Sequence, residues 1–193
     1  MGSGFLGAVV VVLALGAIAT PAFAQYPVTV FGSGYARDCY VAVKSRTAVP
    51  ASALQTCDIA LRQEQLSKTN RAATLINRGI VHMREKNHDR AMQDYEAALR
   101  ITPDMPEAKI NLGAMLYYMG RYPDAVAALN EGVKIANEDA RAAAHFNRAL
   151  AYERMGDVDN AYADYKTALA LRPGFEAAAK QLSRFQVVPA GAS

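Results

Sequence analysis

The side chains in this sequence that could act as nucleophiles, bases or metal ligands do not fall into a catalytic pattern. Ser33 lies between two glycines, but no strand-to-helix turn of the kind that presents a nucleophilic serine precedes it. His82 and His88 are six residues apart, which places them on different faces of a helix or beyond its end, and no ordered carboxylate, histidine and nucleophile accompany them. The sequence contains no glycine-rich loop with a lysine to cradle a phosphate. We therefore expect no catalysis and no metal or other cofactor.

The two cysteines, Cys39 and Cys57, are the remaining reactive side chains. They do not form a Cys-x-x-Cys redox centre, and in a chain with three histidines they lack the spacing of a metal site. Their number is even, and the N-terminal segment predicts export to an oxidising compartment. We therefore predict a disulfide between them, worth about 3 kcal/mol in the chain-entropy treatment.

Three asparagines recur at a nearly constant interval along the chain. Asn111 follows Asn77 by 34 residues, and Asn147 follows Asn111 by 36 residues. A position that holds a small residue shows the same two intervals, and its occupants are Ala91, Ala125 and Ala161. Apolar residues three and four positions apart fill the intervening segments, which indicates helices. A 34-residue period with one two-residue insertion predicts an array of helical units.

This repeat resembles the tetratricopeptide repeat, a 34-residue helix pair with small residues where the two helices cross. The central copy carries Asn111-Leu112-Gly113, a turn at Gly120-Arg121-Tyr122 and the small residue Ala125. The resemblance extends from 72 to 175. It implies an all-α fold, an α-solenoid of three helix pairs at 72–105, 106–141 and 142–175, the second containing the insertion.

The resemblance also implies a binding surface, because in this family the first helix of each pair lines a concave groove. The residues that match the lining positions are Asn77, Ile80, Arg84, Asn111, Ala114, Tyr118, Asn147, Leu150 and Arg154. In family members that hold extended peptides, the asparagine at this position donates and accepts hydrogen bonds to the ligand backbone, and an amide can do both at once. Asparagine is also the commonest residue there across the family, so the sequence leaves a peptide ligand and a structural role open.

The first 24 residues have the pattern of a secretory signal peptide. They contain no charged side chain, run apolar from Phe5 to Ala19 and end in the small-x-small sequence Ala22-Phe23-Ala24. Cleavage there would leave Gln25 as the mature N-terminus. An uncleaved membrane anchor is the competing interpretation. Residues 25–34 contain Pro, Gly and Ser without a period and are interpreted as a flexible leader.

The segments that flank the three repeats are predicted to cap the array. Residues 35–71 resemble a shortened, degenerate helix pair that contains both cysteines, and 176–186 resemble a C-terminal capping helix. Such caps have a physical purpose, because stacked repeats expose an apolar face at each end. Residues 187–193 are expected to fray.

Composition and charge argue against a nucleic-acid partner. The net charge is +3 and the pI is about 8.9, and lysine and arginine are spread among acidic residues without a dense basic run. The sequence therefore predicts a non-catalytic module, periplasmic or secreted, that binds a partner protein or an extended peptide in the concave groove and is not inserted in the membrane after cleavage. The alternative is a self-associating or membrane-held scaffold that uses its convex or terminal faces. The sequence leaves the oligomeric state open.

Overall fold

The computed structural model describes residues 9–13, 24–45, 50–135 and 137–189, with side chains over 24–45, 50–135 and 137–185. The described residues form nine helices and one two-stranded sheet. The helices are α1 (Tyr35–Ser45), α2 (Pro50–Gln63), α3 (Lys68–Arg84), α4 (His88–Ile101), α5 (Pro106–Tyr118), α6 (Tyr122–Gly132), α7 (Glu138–Met155), α8 (Val158–Leu171) and α9 (Glu176–Leu182), and the strands are β1 (Val9–Leu13) and β2 (Phe185–Pro189).

The predicted all-α solenoid is confirmed. Helix α3 packs on α4, α5 on α6, and α7 on α8, and each pair packs on the next through α4 with α5 and α6 with α7. The first helices of successive pairs, α1, α3, α5 and α7, also contact one another in that order. They therefore line a single face of the molecule, and side chains at one repeat position lie in a row along it.

The three repeats turn from their first to their second helix in the same way. Lys86, Gly120 and Gly156 stand at equivalent positions with φ of 60°, 76° and 78°. The N–H of the next residue, Asn87 in the first repeat, donates to a carbonyl five residues back, that of His82, over 2.8 Å. This is the hydrogen-bond pattern of a Schellman motif, which satisfies the last carbonyls of a helix. The common turn keeps the first helices in register, and Lys86 adopts a left-handed conformation that glycine adopts more easily.

The two helices of each pair cross where small residues let their backbones approach. A Cβ added at Gly79 would lie 2.6 Å from the ring of Tyr95, and one added at Gly113 would lie 2.5 Å from Cγ of Leu129. Both large side chains are buried. The small residues of the second helices, Ala91, Ala125 and Ala161, are fully buried.

Ala125→Leu should lower the free energy of unfolding by about 1 to 3 kcal/mol, because a larger side chain at this buried crossing must push the helices apart. Ala127→Leu, on the exposed side of the same helix, is the matched control and should change it by less than about 0.5 kcal/mol. Urea denaturation followed by circular dichroism measures both. Equal losses in the two variants would contradict close packing at Ala125.

A disulfide joins α1 to α2 ahead of the first full repeat. The Sγ atoms of Cys39 and Cys57 are bonded at 2.08 Å, and the two Cα atoms are 4.9 Å apart. Both residues are fully buried. Helix α2 packs on α3, and α1 contacts both α2 and α3. The disulfide therefore holds α1 against the N-terminal end of the solenoid.

The C-terminal end differs from the prediction. The capping helix expected over 176–186 ends at Leu182, and residues 187–189 of the expected frayed tail belong to β2. This strand pairs antiparallel with β1, so that Leu13 lies opposite Phe185 and Val9 opposite Pro189. The strand forms because a second apolar, valine-rich segment from the far end of the chain supplies partners for its backbone, which helical periodicity within 176–186 could not reveal.

Of the predicted signal peptide, the structure describes β1 and Ala24. The other residues of the predicted cleavage sequence, Ala22 and Phe23, lie outside the described residues. Within the part of the chain that the structure describes, none of the helices combines the length and the apolar character needed to cross a membrane.

Candidate peptide-binding groove

The three repeated asparagines lie on the shared face of the first helices and are buried. Asn77 is on α3, Asn111 on α5 and Asn147 on α7, and each is no more than 1% exposed. Buried amides are costly unless their donors and acceptors are paired. The pairing partner in all three cases is a segment of this same chain.

Residues 24–31 lie extended across the groove, and alternate residues bond to successive asparagines. Asn147 Oδ1 accepts from the Ala24 N–H over 3.1 Å, and its Nδ2 donates to the Ala24 carbonyl over 3.0 Å. Asn111 makes the same pair with Tyr26, at 3.1 and 3.0 Å. Asn77 makes it with Val28, at 2.8 Å for both bonds.

Each side-chain amide therefore makes the two hydrogen bonds that a residue of a neighbouring antiparallel strand would make: it accepts from the N–H and donates to the carbonyl of one residue of the segment. The spacing of two residues between bonded positions is the period of an extended chain. The segment runs opposite to the order of the repeats, from the third repeat to the first. The groove asparagines thus bind backbone N–H and carbonyl groups, which are present in every peptide.

This finding corrects the flexible leader predicted over 25–34. The leader has no helical period, but its groove-facing positions have a period of two. Val28 and Val30 are buried, whereas Thr29 between them and Phe31 after them are exposed. The partners of this extended segment are asparagine amides 39 to 123 residues away, so no local pattern predicted it.

Tyr26 is held by its side chain as well as by its backbone. Its hydroxyl donates to Oδ1 of Asn137 over 3.0 Å. Burial, followed by the carboxylates of Asp139 and Glu107, raises the pKa of the Tyr26 phenol. The phenol therefore remains a protonated donor across the physiological range.

A fourth amide, which sequence reasoning missed, continues the row. Asn70 Nδ2 donates to the Phe31 carbonyl over 2.8 Å, and Asn70 Oδ1 accepts from the Phe31 N–H over 3.3 Å. Asn70 stands seven residues before Asn77 on α3, so two helical turns place both amides on one face. This spacing was the available signal, but it occurs in the first repeat alone, where Asp104 and Ala140 occupy the matching positions of the others.

The remaining predicted groove residues divide into two groups. Ile80, Ala114 and Leu150 are buried. The polar ones engage other elements: Arg84 donates to the Val43 carbonyl on α1, Arg154 donates to the Tyr122 hydroxyl, and Tyr118 packs against the ring of His88 with centroids 4.2 Å apart. The structure therefore brings the three asparagines onto one peptide, and the two arginines form contacts within the solenoid.

A cavity of about 280 Å³ adjoins the segment near its N-terminal end. Its lining residues are Gln25, Met83, Arg84, Lys86, His88 and Tyr118. Among the residues described, no group of three or more His, Cys, Asp or Glu side chains is arranged to hold a metal ion.

Two partly buried ion pairs, also missed from the sequence, each join the two helices of one repeat, the first and the third. Arg78 on α3 binds Asp94 on α4 through two bonds of 2.9 and 2.6 Å, and Arg148 on α7 binds Asp164 on α8 through two bonds of 2.7 and 2.8 Å. In each pair the carboxylate faces the guanidinium in a bidentate arrangement, which is a structural contact and gives no indication of catalysis. These pairs position the helices that carry Asn77 and Asn147.

The fold and the groove define a class of protein, a helical-repeat protein with a concave surface that holds an extended chain. Three family models described as tetratricopeptide repeat match residues 50–106, 82–151 and 142–175. Together they span α2 to α8. The chain belongs to the tetratricopeptide repeat family.

Curated proteins and solved structures are similar to this chain. Over 71 residues the chain is 35% identical to photosystem I assembly protein Ycf3 of Synechococcus sp. (strain CC9605). The matched residues make up 37% of this chain and 40% of that protein, so the match spans less than half of the relative. MamA 41-end from Desulfovibrio magneticus RS-1 superposes with a TM-score of 0.59 at 22% identity, over 78% of this chain and 82% of that one. The first TPR of Spaghetti (RPAP3), bound to the HSP90 peptide SRMEEVD, gives 0.55 at 20% identity, over 60% and 90%. At these identities the structures establish the fold alone.

Proposed function

We propose that this protein is a non-catalytic interaction module that holds an extended peptide segment of a partner protein in the groove lined by Asn77, Asn111 and Asn147. The observation that carries the proposal is the set of six backbone hydrogen bonds that these amides make to Ala24, Tyr26 and Val28. Asparagines that bind every second residue of one extended peptide can bind a different extended peptide in the same way, because all peptides have the same backbone N–H and carbonyl groups. Similarity to an assembly protein and to a peptide-bound domain supports the proposal.

The physical basis of binding is backbone pairing combined with apolar contact. Each hydrogen bond contributes a net of about 0.5 kcal/mol, because the peptide and the amide both lose water when they pair, so each amide contributes about 1 kcal/mol through its two bonds. The apolar positions of Val28 and Val30 add burial at the first repeat. The groove therefore favours an uncharged, extended segment with apolar side chains at alternate positions.

We place this binding outside the cytoplasm, in the periplasm or secreted. The signal-like sequence of residues 1–24 and the disulfide between Cys39 and Cys57 support this location, since disulfides persist in oxidising compartments. Protease treatment of intact cells and of cells with a permeabilised outer membrane would test this location, because a periplasmic protein is digested only after permeabilisation.

The function is tested by alanine substitution of Asn77, Asn111 and Asn147 together. Partners are first captured by crosslinking in intact cells and identified by mass spectrometry, and the binding segment of one of them is then synthesised. Because the segment 24–31 uses the same amides, both the parent and the triple variant carry Val28→Pro, which removes one backbone donor of the segment and weakens its competition. The affinity should then fall about 100-fold, which corresponds to about 1 kcal/mol for each lost amide.

Asn160→Ala provides the control, because Asn160 is exposed on α8 and its amide donates to Asp157. It should leave the affinity unchanged. A triple variant that binds as tightly as the parent would show that the groove is not the binding surface, and the scaffold alternative, which predicts no effect in either variant, would then account for the capture.

A further inference from the structure

We infer that the segment 24–31 is an internal ligand, which occupies the groove of its own chain and must leave before a partner's peptide can enter. The inference rests on the proposed function and adds its regulation. Asn70, Asn77, Asn111 and Asn147 are each bonded to both the N–H and the carbonyl of one residue of the segment. A partner's backbone needs the same atoms, so the two cannot bind together.

The connection between the segment and the solenoid allows such a departure. Gly32 and Gly34 follow the segment with φ of 101° and 100°, and α1 begins at Tyr35. The start of α1 is fixed separately, because Glu64 accepts hydrogen bonds from the N–H groups of Tyr35 and Ala36. The disulfide also holds α1 to α2. The glycines are therefore the hinge on the α1 side. Departure of residues 24–31 breaks the hydrogen bond from Arg37 to the Val30 carbonyl but leaves the start of α1 held by Glu64.

A tethered ligand competes strongly even when each of its contacts is weak. A short flexible linker gives an effective concentration on the order of millimolar, so a partner peptide must exceed the intrinsic affinity of the segment to displace it. The apparent dissociation constant of the partner is its intrinsic value divided by the fraction of molecules with an open groove. The partner is therefore expected to carry the pattern of the segment, with apolar side chains at the positions of Tyr26, Val28 and Val30, and to match or exceed its fit.

The predicted signal cleavage would act on this same segment. Ala24, the last residue before the predicted site, is the one bonded to Asn147. Removal of residues 1–24 would shorten the internal ligand by this position and leave the third-repeat amide open. A partner's peptide could then begin to bind at Asn147 and displace the segment towards α3.

The test compares two proline substitutions that differ by one position. Val28→Pro removes the N–H that bonds to Asn77 and keeps an extended backbone. Thr29→Pro is the matched control: Thr29 is exposed, and the groove asparagines bond to Val28 before it and Phe31 after it. Because the Thr29 side chain bonds to Tyr40, Thr29→Val, which loses the same hydroxyl, is measured beside it. The natural residue at an equivalent odd position is Pro27, so proline is compatible with the seated segment there.

The probe is a synthetic peptide of residues 24–31 with blocked ends and a fluorescent label, titrated into the full chain and followed by anisotropy. We expect Val28→Pro to bind it at least about tenfold more tightly than the parent, because more of its grooves are open. Thr29→Pro should match Thr29→Val. Adding Asn111→Ala to Val28→Pro should weaken probe binding several-fold.

The outcomes separate the two proposals. Equal binding by the parent and Val28→Pro, with a loss on Asn111→Ala, would overturn the internal ligand and leave the groove function standing. Binding that ignores Asn111→Ala would overturn both. No binding by any variant at probe concentrations up to the millimolar range would overturn the internal ligand, since at the effective concentration of the tether the segment would then leave most grooves open. A parent dimer in sedimentation that Val28→Pro converts to monomer would also overturn it, because the segment would occupy a second copy.

A measurement on the parent alone guards against misfolding of the proline variant. Amide hydrogen exchange should show the N–H groups of Tyr26 and Val28 protected, and excess unlabelled probe should accelerate their exchange. Exchange in α3 to α8 should stay unchanged. Unprotected N–H groups at both positions in the parent would overturn the inference without any substitution.

Discussion

Asp164→Ala should lower the free energy of unfolding by about 3 kcal/mol. Asp164 is buried, and its carboxylate accepts two hydrogen bonds from Arg148 and contacts His145 Nδ1 over 2.7 Å. Removing it leaves the Arg148 charge facing the α7 and α8 interface without its partner, and breaking a buried ion pair costs about 3 to 5 kcal/mol. The lower end applies because Arg148 keeps some contact with water, with 16% of its side chain exposed. Chemical denaturation at neutral pH measures the loss.

The middle repeat supplies a sharp control for this substitution. It has Leu112 and Ala128 at the positions of Arg148 and Asp164, so the same helix packing forms there without charges. The double variant Arg148→Leu with Asp164→Ala copies that pair and should recover most of the lost stability, because no unpaired charge remains. A double variant as unstable as Asp164→Ala would contradict the explanation.

The dependence on pH follows from the pKa of Asp164. Burial alone would raise this pKa, but the hydrogen bonds from Arg148 and His145 outweigh burial and hold it below its ordinary value of 3.8. A carboxyl whose folded-state pKa is depressed stabilises the fold fully above its unfolded-state pKa, and the contribution is lost as pH falls through the folded value. The difference between parent and Asp164→Ala should therefore shrink as the pH falls below about 4.

Replacing both cysteines by serine should also lower the free energy of unfolding by about 3 kcal/mol. The disulfide closes a loop with a sequence separation of 18, and removing it restores the chain entropy of that loop to the unfolded state. The loss should be greatest at α1 and α2, because the disulfide joins these two helices. Denaturation curves of the parent and the double variant, together with hydrogen exchange by segment, measure both effects.

Two controls accompany the disulfide prediction. Protein taken from its native compartment should show no reaction with a thiol reagent until it is reduced, and reduced parent should then unfold at the same denaturant concentration as the double variant. Labelling of both cysteines without reductant would contradict the disulfide. Equal stability of the parent and the double variant would contradict its contribution to the fold.

Sequence periodicity was sufficient for the helix pairs because it records contacts close along the chain. The 34-residue interval from Asn77 to Asn111 and the small residue at Ala125 reflect one helix packing on the next, which each repeat shows separately. The ion pairs had a weaker signal of the same kind. Arg78 and Asp94 recur as Arg148 and Asp164, but Leu112 and Ala128 interrupt the pattern, so a single repeat did not indicate that the two residues meet.

What the sequence by itself determined is the solenoid and the row of amides along its face, since both follow from local spacing on helices. The tertiary structure decided what lies against that row. Ala24, Tyr26 and Val28 bond to asparagines 123, 85 and 49 residues away. These bonds use backbone atoms, which are the same for every residue type, so the sequence of the segment does not indicate them. The same reason applies to β2, whose partner is at the opposite end of the chain. Backbone pairing between distant segments depends on where the fold brings them, and only the folded chain determines that.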